Sequence, residues 1–254
     1  MIFAIIGSGN VATYLSIALT KNGHQISQIY SRNFNNAQTL AQKVEASAIN
    51  KITDINPCVE AIILAVNDDA LPTILKSLAT NKQILIHTSG TLPISILSSI
   101  AKQYGVIYPL QTLSKNVKIN FLNVPLCVEA NNVETEKTLL HIANDISNVV
   151  YKVNSHQRKT LHIAAVFACN FTNYFYAIAD DLLQQNNLSF NMLKPLITET
   201  ASKIIENSPK QVQTGPAKRN DKKIIESHLS ALSQYPNYQL LYKLISEHIM
   251  LKYK

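Results

Sequence analysis

At 254 residues, 46% hydrophobic and 15% charged, the chain is long enough to bury a sizeable core in one or two domains, and it has no charged or low-complexity block of the kind that stays disordered. The formal net charge of +7 fits an anionic partner, although lysine, isoleucine and asparagine are abundant throughout and a general compositional bias accounts for the same excess. Cys58, Cys127 and Cys169 are odd in number and lack CxxC or metal-type spacing, no basic leader or uninterrupted apolar span is read, and a reduced, cytoplasmic protein outside the membrane is expected.

In chain order, residues 2–6 form a continuous apolar run ending at Gly7, the pattern of a strand buried on both faces of a parallel sheet. Val11, Leu15, Ala18 and Leu19 recur at helical spacing before Asn22-Gly23 stops the helix. The alternation continues with strands predicted at 26–30, 61–66, 83–87, 106–108, 125–129 and 149–153, and helices at 35–44, 71–79, 93–103 and 134–146. Such alternation predicts a doubly wound, mainly parallel α/β sheet of the Rossmann kind over residues 1–154. Beyond it only helical periodicity remains, so residues 155–254 are expected to form an all-helical domain, with helices near 155–185, 190–206, 221–233 and 237–252.

Gly7-Ser8-Gly9-Asn10-Val11-Ala12 matches GxGxxA directly after a buried strand and at the start of a helix, the context in which glycines let the backbone approach a pyrophosphate. The anion then rests on the helix N-terminus, where free N–H groups and the dipole favour it. Ser31 and Arg32 stand at the tip of the second strand, where an NAD site usually carries an acid. A guanidinium and a hydroxyl there suit the 2′-phosphate of NADP, so NADP is expected ahead of NAD. Ala65 and Val66 end the strand predicted at 61–66 and are candidate cofactor contacts. Thr88 and Ser89 end another and are expected to contact the cofactor, with Gly90 allowing close approach. In Asn67-Asp68-Asp69, capping of the following helix is the expected role of the acids.

On the long helix Lys159, His162, Val166, Asn170 and Asn173 fall at steps of three and four and are expected to share one face. Its functional reading is a proton donor, His162 or Lys159, with Asn170 and Asn173 orienting a carbonyl or imine. The alternative is that these polar groups satisfy one another across helices or a dimer. Tyr108, Gln111 and Thr112 are candidates to line a substrate pocket, and Arg219 to bind a carboxylate, although a solvated charge run explains the basic residues around it equally well. Neither a metal-ligand spacing nor a nucleophile elbow is present in the sequence.

The Gly7–Ala12 loop, Ser31-Arg32, Ala65-Val66-Asn67-Asp68-Asp69 and the helical second half together resemble the superfamily of pyrroline-5-carboxylate reductase, deazaflavin-dependent NADP oxidoreductases, ketopantoate reductase and the 6-phosphogluconate and β-hydroxyacid dehydrogenases. His87-Thr88-Ser89-Gly90, Tyr108-Pro109-Leu110-Gln111-Thr112, Asn170-Phe171-Thr172-Asn173 and Gln213-Thr214-Gly215-Pro216-Ala217 are similar to a bacterial branch whose C-terminal domain has no known function. The resemblance implies an NADP-dependent oxidoreductase transferring hydride to or from a small carbonyl, imine or deazaflavin-like acceptor held between the domains, and a homodimer built on the long helix. It departs from the β-hydroxyacid dehydrogenases, whose lysine lies four residues before an asparagine: here Lys159 is followed at that spacing by Ile163. The alternative function is a non-catalytic NADP-binding sensor. No helix-turn-helix or aromatic–basic interleaving supports nucleic-acid binding.

Overall fold

The apolar runs become strands because each is buried from both sides. In β1 (Ile2–Ile6) Phe3 and Ile5 join one apolar cluster while Ala4 and Ile6 join the other, as the two-residue period of a strand requires. The structure, a computed structural model, describes residues 1–78, 82–114 and 117–253. Helix α1 (Asn10–Lys21) returns to β2 (Gln25–Tyr30), and α2 (Phe34–Lys43) to a short edge strand, β3 (Ser47–Ile49). The chain then crosses to the far side of β1 as β4 (Ala61–Leu64), followed by α3 (Leu71–Ser77), β5 (Ile84–His87) and β6 (Tyr104–Pro109). The last predicted residue of the third helix, Ala79, lies outside the described residues.

The eight strands run in the order β3-β2-β1-β4-β5-β6-β7-β8, where β7 is Leu126–Ala130 and β8 is Val150–Lys152. Every neighbouring pair is parallel except β6 and β7. Among the described residues, the β6–β7 connection contains only a 3₁₀ turn, Phe121–Asn123, and without a crossover helix the chain returns antiparallel. Helix α4 (Val133–Ile146) joins β7 to β8 and buries Leu139, Ile142, Ala143 and Ile146 in the cluster that holds Phe3 and Ile5. The order reverses between β1 and β4, so a topological switch point opens at their carboxyl ends, beside the glycine loop.

Two expectations within the sheet need correction. Edge strand β3 was not foreseen, being three residues long and only half-buried. The helix predicted at 93–103 is reduced to a 3₁₀ turn at Ile94–Leu97, closed by i→i−3 bonds from Ile96 N–H to the Pro93 carbonyl and from Ser98 N–H to the Ser95 carbonyl, while Ile94 N–H, free at a helix start, donates to Ser155 Oγ at 3.0 Å.

The long helix is continuous through α5 (Ser155–Ala165), a π-helical turn (Val166–Phe171) and α6 (Thr172–Gln184). It starts on a capping box formed by Asn154 and Gln157. The chain divides into two compact units inside this helix, Met1–Asn170 and Phe171–Lys254, so its first half packs with the sheet and the expected boundary at 154/155 falls ahead of the division. The second unit is helical, as predicted, with α7 (Lys194–Glu206), α8 (Pro209–Val212), α9 (Lys222–Ala231) and α10 (Pro236–Lys252). By length and composition alone the 30-residue helix Ser155–Gln184 is apolar enough to cross a membrane, with a mean hydropathy of 1.2 in its best window. Asn170, Thr172 and Asn173 interrupt its apolar run.

Candidate functional site

The glycine loop has the geometry that close backbone approach requires. Gly7 sits at φ +125°, and a Cβ on it would lie 2.1 Å from the Ala65 carbonyl oxygen, so only glycine lets β1 turn tightly against the end of β4. Gly9 precedes α1, and a Cβ there would meet nothing within 4 Å. No side chain caps α1 and no acid occupies its first turn, which leaves its N-terminal N–H groups and dipole available to an anion. The residues present therefore fit a dinucleotide pyrophosphate. Around the loop, Ser8 Oγ donates to Ser31 Oγ at 2.8 Å, tying the loop to the tip of β2. Arg32 beside it is exposed and makes no ion pair among the described residues. Asn10 Nδ2 donates to the Leu113 carbonyl at 2.6 Å and Tyr14 to that of Ser114 at 2.8 Å, so the segment after β6 lies along the first turns of α1. Val11 is half-buried, Ala65 buried and Val66 half-buried beside the same loop.

At the ends of β4 and β5 the polar side chains mostly bond to each other. Asp68 does not cap a helix as expected: its carboxylate accepts from Thr91 Oγ1, and neither the 3₁₀ turn at Asp68–Ala70 nor α3 has a side-chain cap. Thr88 is buried, with its hydroxyl 3.4 Å from the Leu64 carbonyl. Ser89 Oγ accepts from Thr91 N–H at 3.1 Å and Leu92 N–H at 3.0 Å, so these hydroxyls shape the turn that a ligand would meet. His87 is fully buried and its Nδ1 accepts from Ser89 N–H at 3.2 Å. Burial, and then the Arg158 charge, push its pKa down to about 4, while Asp68 and the Pro93 carbonyl act the other way. His87 is therefore neutral at pH 7.

One turn of helix brings the remaining chemistry to this edge. Tyr108 Oη lies 3.0 Å from His162 Nδ1, with the rings edge-on at 66° and 6.0 Å between centroids. Gly90 makes this contact possible, since a Cβ there would stand 2.8 Å from His162 Nδ1 and 2.9 Å from Tyr108 Cζ. Burial pushes the Tyr108 phenol up to about 12; the neighbouring Cys127 adds to this and Arg158 opposes it. Beneath the pair Arg158 is 0% exposed. It is ion-paired to Glu129 through Nη1, and Nε donates to the Ser89 carbonyl at 3.1 Å. Ser155 Oγ completes the knot by donating to Glu129 Oε1 and Oε2 at 3.0 and 2.9 Å. A desolvated guanidinium is tolerated here because nearly every donor finds an oxygen.

The expected helical stripe is only partly assembled. His162 reaches Tyr108, whereas Lys159 on the same helix is exposed and has no ion pair among the described residues. Asn170 lies in the π-helical turn and Asn173 beyond it, both exposed. The π-helical turn between them departs from the regular steps of three and four on which the shared face was predicted. Gln111 and Thr112 are exposed after β6, and Gln111 Oε1 accepts from Thr112 N–H at 2.9 Å. Arg219 belongs to the second unit and is exposed, while its neighbour Lys218 is held over the Tyr253 ring at 4.0 Å. Sequence reading missed Arg158 and Glu129 altogether and placed Tyr108 only as a pocket wall. An arginine in a polar first turn looks solvated, and no spacing links residues 29 or 54 positions apart.

Sheet order, switch point, open glycine loop and helical second half define the class: a Rossmann-like domain joined to a helical domain. Residues 1–112 match the Rossmann-like domain family, and residues 124–249 match the Domain of unknown function (DUF2520). A Bacteroides fragilis protein provisionally assigned as an NADP oxidoreductase is 42% identical, with a TM-score of 0.92 over 98% of this chain and 97% of that one. The chain is a member of the Rossmann-like NADP oxidoreductase superfamily and belongs to the same family as the Bacteroides fragilis protein. The 1-pyrroline-5-carboxylate reductase of Streptococcus pyogenes has a TM-score of 0.67 at 14% identity, covering 98% of each chain. An imine reductase of Myxococcus stipitatus in complex with NADP⁺ has a TM-score of 0.65 at 12% identity, over 98% of this chain and 92% of that one. At these identities the likeness is one of fold. No curated protein matches the sequence.

Proposed function

We propose that the protein is an NADP(H)-dependent oxidoreductase that reduces a small carbonyl or imine at the carboxyl edge of its sheet; a deazaflavin-like acceptor is the other candidate of the same kind. The observation that carries this reading is the uncapped N-terminus of α1 behind the open Gly7–Gly9 loop, with exposed Arg32 at the tip of β2. The relative from Bacteroides fragilis supports the cofactor, as does the Myxococcus stipitatus enzyme solved with NADP⁺. Bound NADPH supplies the hydride. Backbone N–H groups of Gly9, Asn10 and Val11 would face its pyrophosphate, and Ser31 and Arg32 its 2′-phosphate. Ala65, Val66 and the turn at Thr88 and Ser89 would line the path toward the reacting end. His162 would take part in the proton chemistry, with Lys159 and Asn170 as candidate polar contacts and Gln111 and Thr112 as candidate substrate contacts.

A homodimer belongs to the same proposal. Among the described residues of Phe171–Lys254 the buried ones are Ala217, Ile225 and Ser246, while Leu196, Ile205, Leu240 and Leu251 are all more than 60% exposed. An apolar cavity of about 350 Å³ opens between Phe175, Ile178, Leu182, Leu241, Ile245 and Ile249. So little burial does not offset the conformational entropy of ordering the unit. A second copy presenting the same apolar helices is the occupant that closes it.

Calorimetric titration of the wild type and Arg32→Ala with NADPH and with NADH tests the cofactor assignment. Loss of a charge-assisted phosphate contact, about 1.5–3 kcal/mol, predicts roughly 10- to 150-fold weaker NADPH binding with NADH changed by less than about threefold. Equal weakening of both would overturn the role of Arg32. Binding of neither would overturn the function.

A further inference from the structure

We propose that Tyr108 is the proton donor of the reduction and that His162 is the group that reloads it. This rests on the reductase reading above and assigns the half of the reaction that the cofactor does not perform. A hydride brings two electrons and one hydrogen to carbon, so the acceptor's oxygen or nitrogen must take a proton from the protein or from water.

The placement comes from the sheet. Tyr108 stands near the carboxyl end of β6 and Gly90 follows β5, on the side of β1 away from β2. A dinucleotide with its 2′-phosphate at Arg32 and its pyrophosphate on α1 therefore runs toward β5 and β6. At about 4.8 Å per strand, β6 lies roughly 14 Å from β1.

The chemistry comes from the pair. The phenol and imidazole are 3.0 Å apart in the space that a side chain at Gly90 would fill, and both rings are half-buried. When His162 is protonated, Nδ1–H donates to Tyr108 Oη and leaves the phenolic hydrogen free to point at an acceptor. Tyr108 then gives that proton to the acceptor's oxygen or nitrogen while the adjoining carbon receives the hydride of NADPH. The carbon–heteroatom π bond breaks, and one C–H bond and one O–H or N–H bond form. Oη recovers a proton from His162 Nδ1, and the imidazole recovers one from water. The balance is acceptor, NADPH and one proton to reduced acceptor and NADP⁺.

Other groups at this edge serve less well. His87 is fully buried and stays neutral at pH 7, and Lys159 is exposed. The upward shift of the Tyr108 phenol keeps it protonated throughout the neutral range. Besides His162, the titratable or charged groups that bear on Tyr108 are Cys127 on β7 and Arg158 on α5.

Wild type, Tyr108→Phe, His162→Gln and Gly90→Ala are compared in three measurements. These are NADPH affinity by calorimetry, the imidazole titration of His162 by NMR in the free protein, and turnover of a panel of small aldehydes, ketones and cyclic imines with NADPH. Tyr108→Phe is expected to bind NADPH within about twofold of wild type, to shift the His162 titration, and to lose about 10²–10⁴ in kcat with little change in KM. His162→Gln, which cannot hand a proton back to Oη, is expected to lower kcat and to change its pH profile relative to the wild type. Gly90→Ala, which forces the rings apart while keeping both, reproduces the kcat loss. If the wild type turns over a panel member and Tyr108→Phe stays within about threefold of it, the proposal is wrong and the reductase reading stands. NADPH binding without turnover of any panel member removes both and leaves a non-catalytic NADPH-binding protein, and absence of NADPH binding removes the cofactor assignment as well.

Discussion

Replacing Arg158 with methionine keeps most of the aliphatic stem and removes a charge that has no access to water. The Glu129 carboxylate then retains only Ser155 Oγ of its bonds to this knot, and the carbonyls of Ser89 and Leu92 lose their donors at 3.1 and 2.5 Å. Breaking one side of a buried ion pair costs about 3–5 kcal/mol. The lower end applies because the Glu129 side chain is 15% exposed and can recover some water. Spread over the unit Met1–Asn170, an unfolding entropy of about 2.1 cal/mol/K per residue turns 3–4 kcal/mol into a Tm lower by roughly 8–11 °C. Thermal and urea unfolding followed by circular dichroism would measure it in Arg158→Met, Glu129→Gln and the double variant. The double variant should recover part of the loss, since it no longer holds an uncompensated carboxylate. A Tm within about 3 °C of wild type in Arg158→Met, or a double variant showing the simple sum of both losses, would refute the idea that this knot holds the β5 turn and α5 together.

Two further outcomes follow from the same structure. An unfolded imidazole takes its proton near pH 6.5, whereas folded His87 does so at about 4, so the unfolded state binds more protons between these values and stability falls as pH falls. His87 contributes about 3 kcal/mol of that loss between pH 6.5 and 4; His24, which burial and the amino terminus also shift downward, adds in the same direction. Urea midpoints of wild type and His87→Gln across this window should diverge, and parallel curves would show that His87 is not the sensitive group. Sedimentation velocity should find the wild type at twice the chain mass, with Leu240→Glu, at a position 66% exposed in the single chain, shifted toward monomer and less stable; a monomeric, stable wild type would contradict the dimer.

How much could be read without the structure depended on how far apart the cooperating residues lie. Strands such as Ile2–Ile6 and Ala61–Leu64 announce themselves because a strand covered on both faces must be apolar throughout, and the glycine loop is six consecutive residues whose spacing carries its geometry. The segment 93–103 has a helical local pattern yet forms only a 3₁₀ turn, whose first N–H is held by Ser155, 61 residues away. Asp68 misled in a similar way: a helix-capping position in sequence, it meets Thr91 across the sheet instead.

The alternating α/β half, the helical half, the glycine loop and the Ser31-Arg32 tip were legible along the chain, since each depends on periodicity or on neighbours a few positions apart. The burial of Arg158 against Glu129, the π-helical turn at Val166–Phe171 and the meeting of Tyr108 with His162 over Gly90 came from the folded chain alone. Those contacts depend on which strand ends lie side by side and on how tightly the backbones approach, and the order of residues along the chain does not encode either quantity locally.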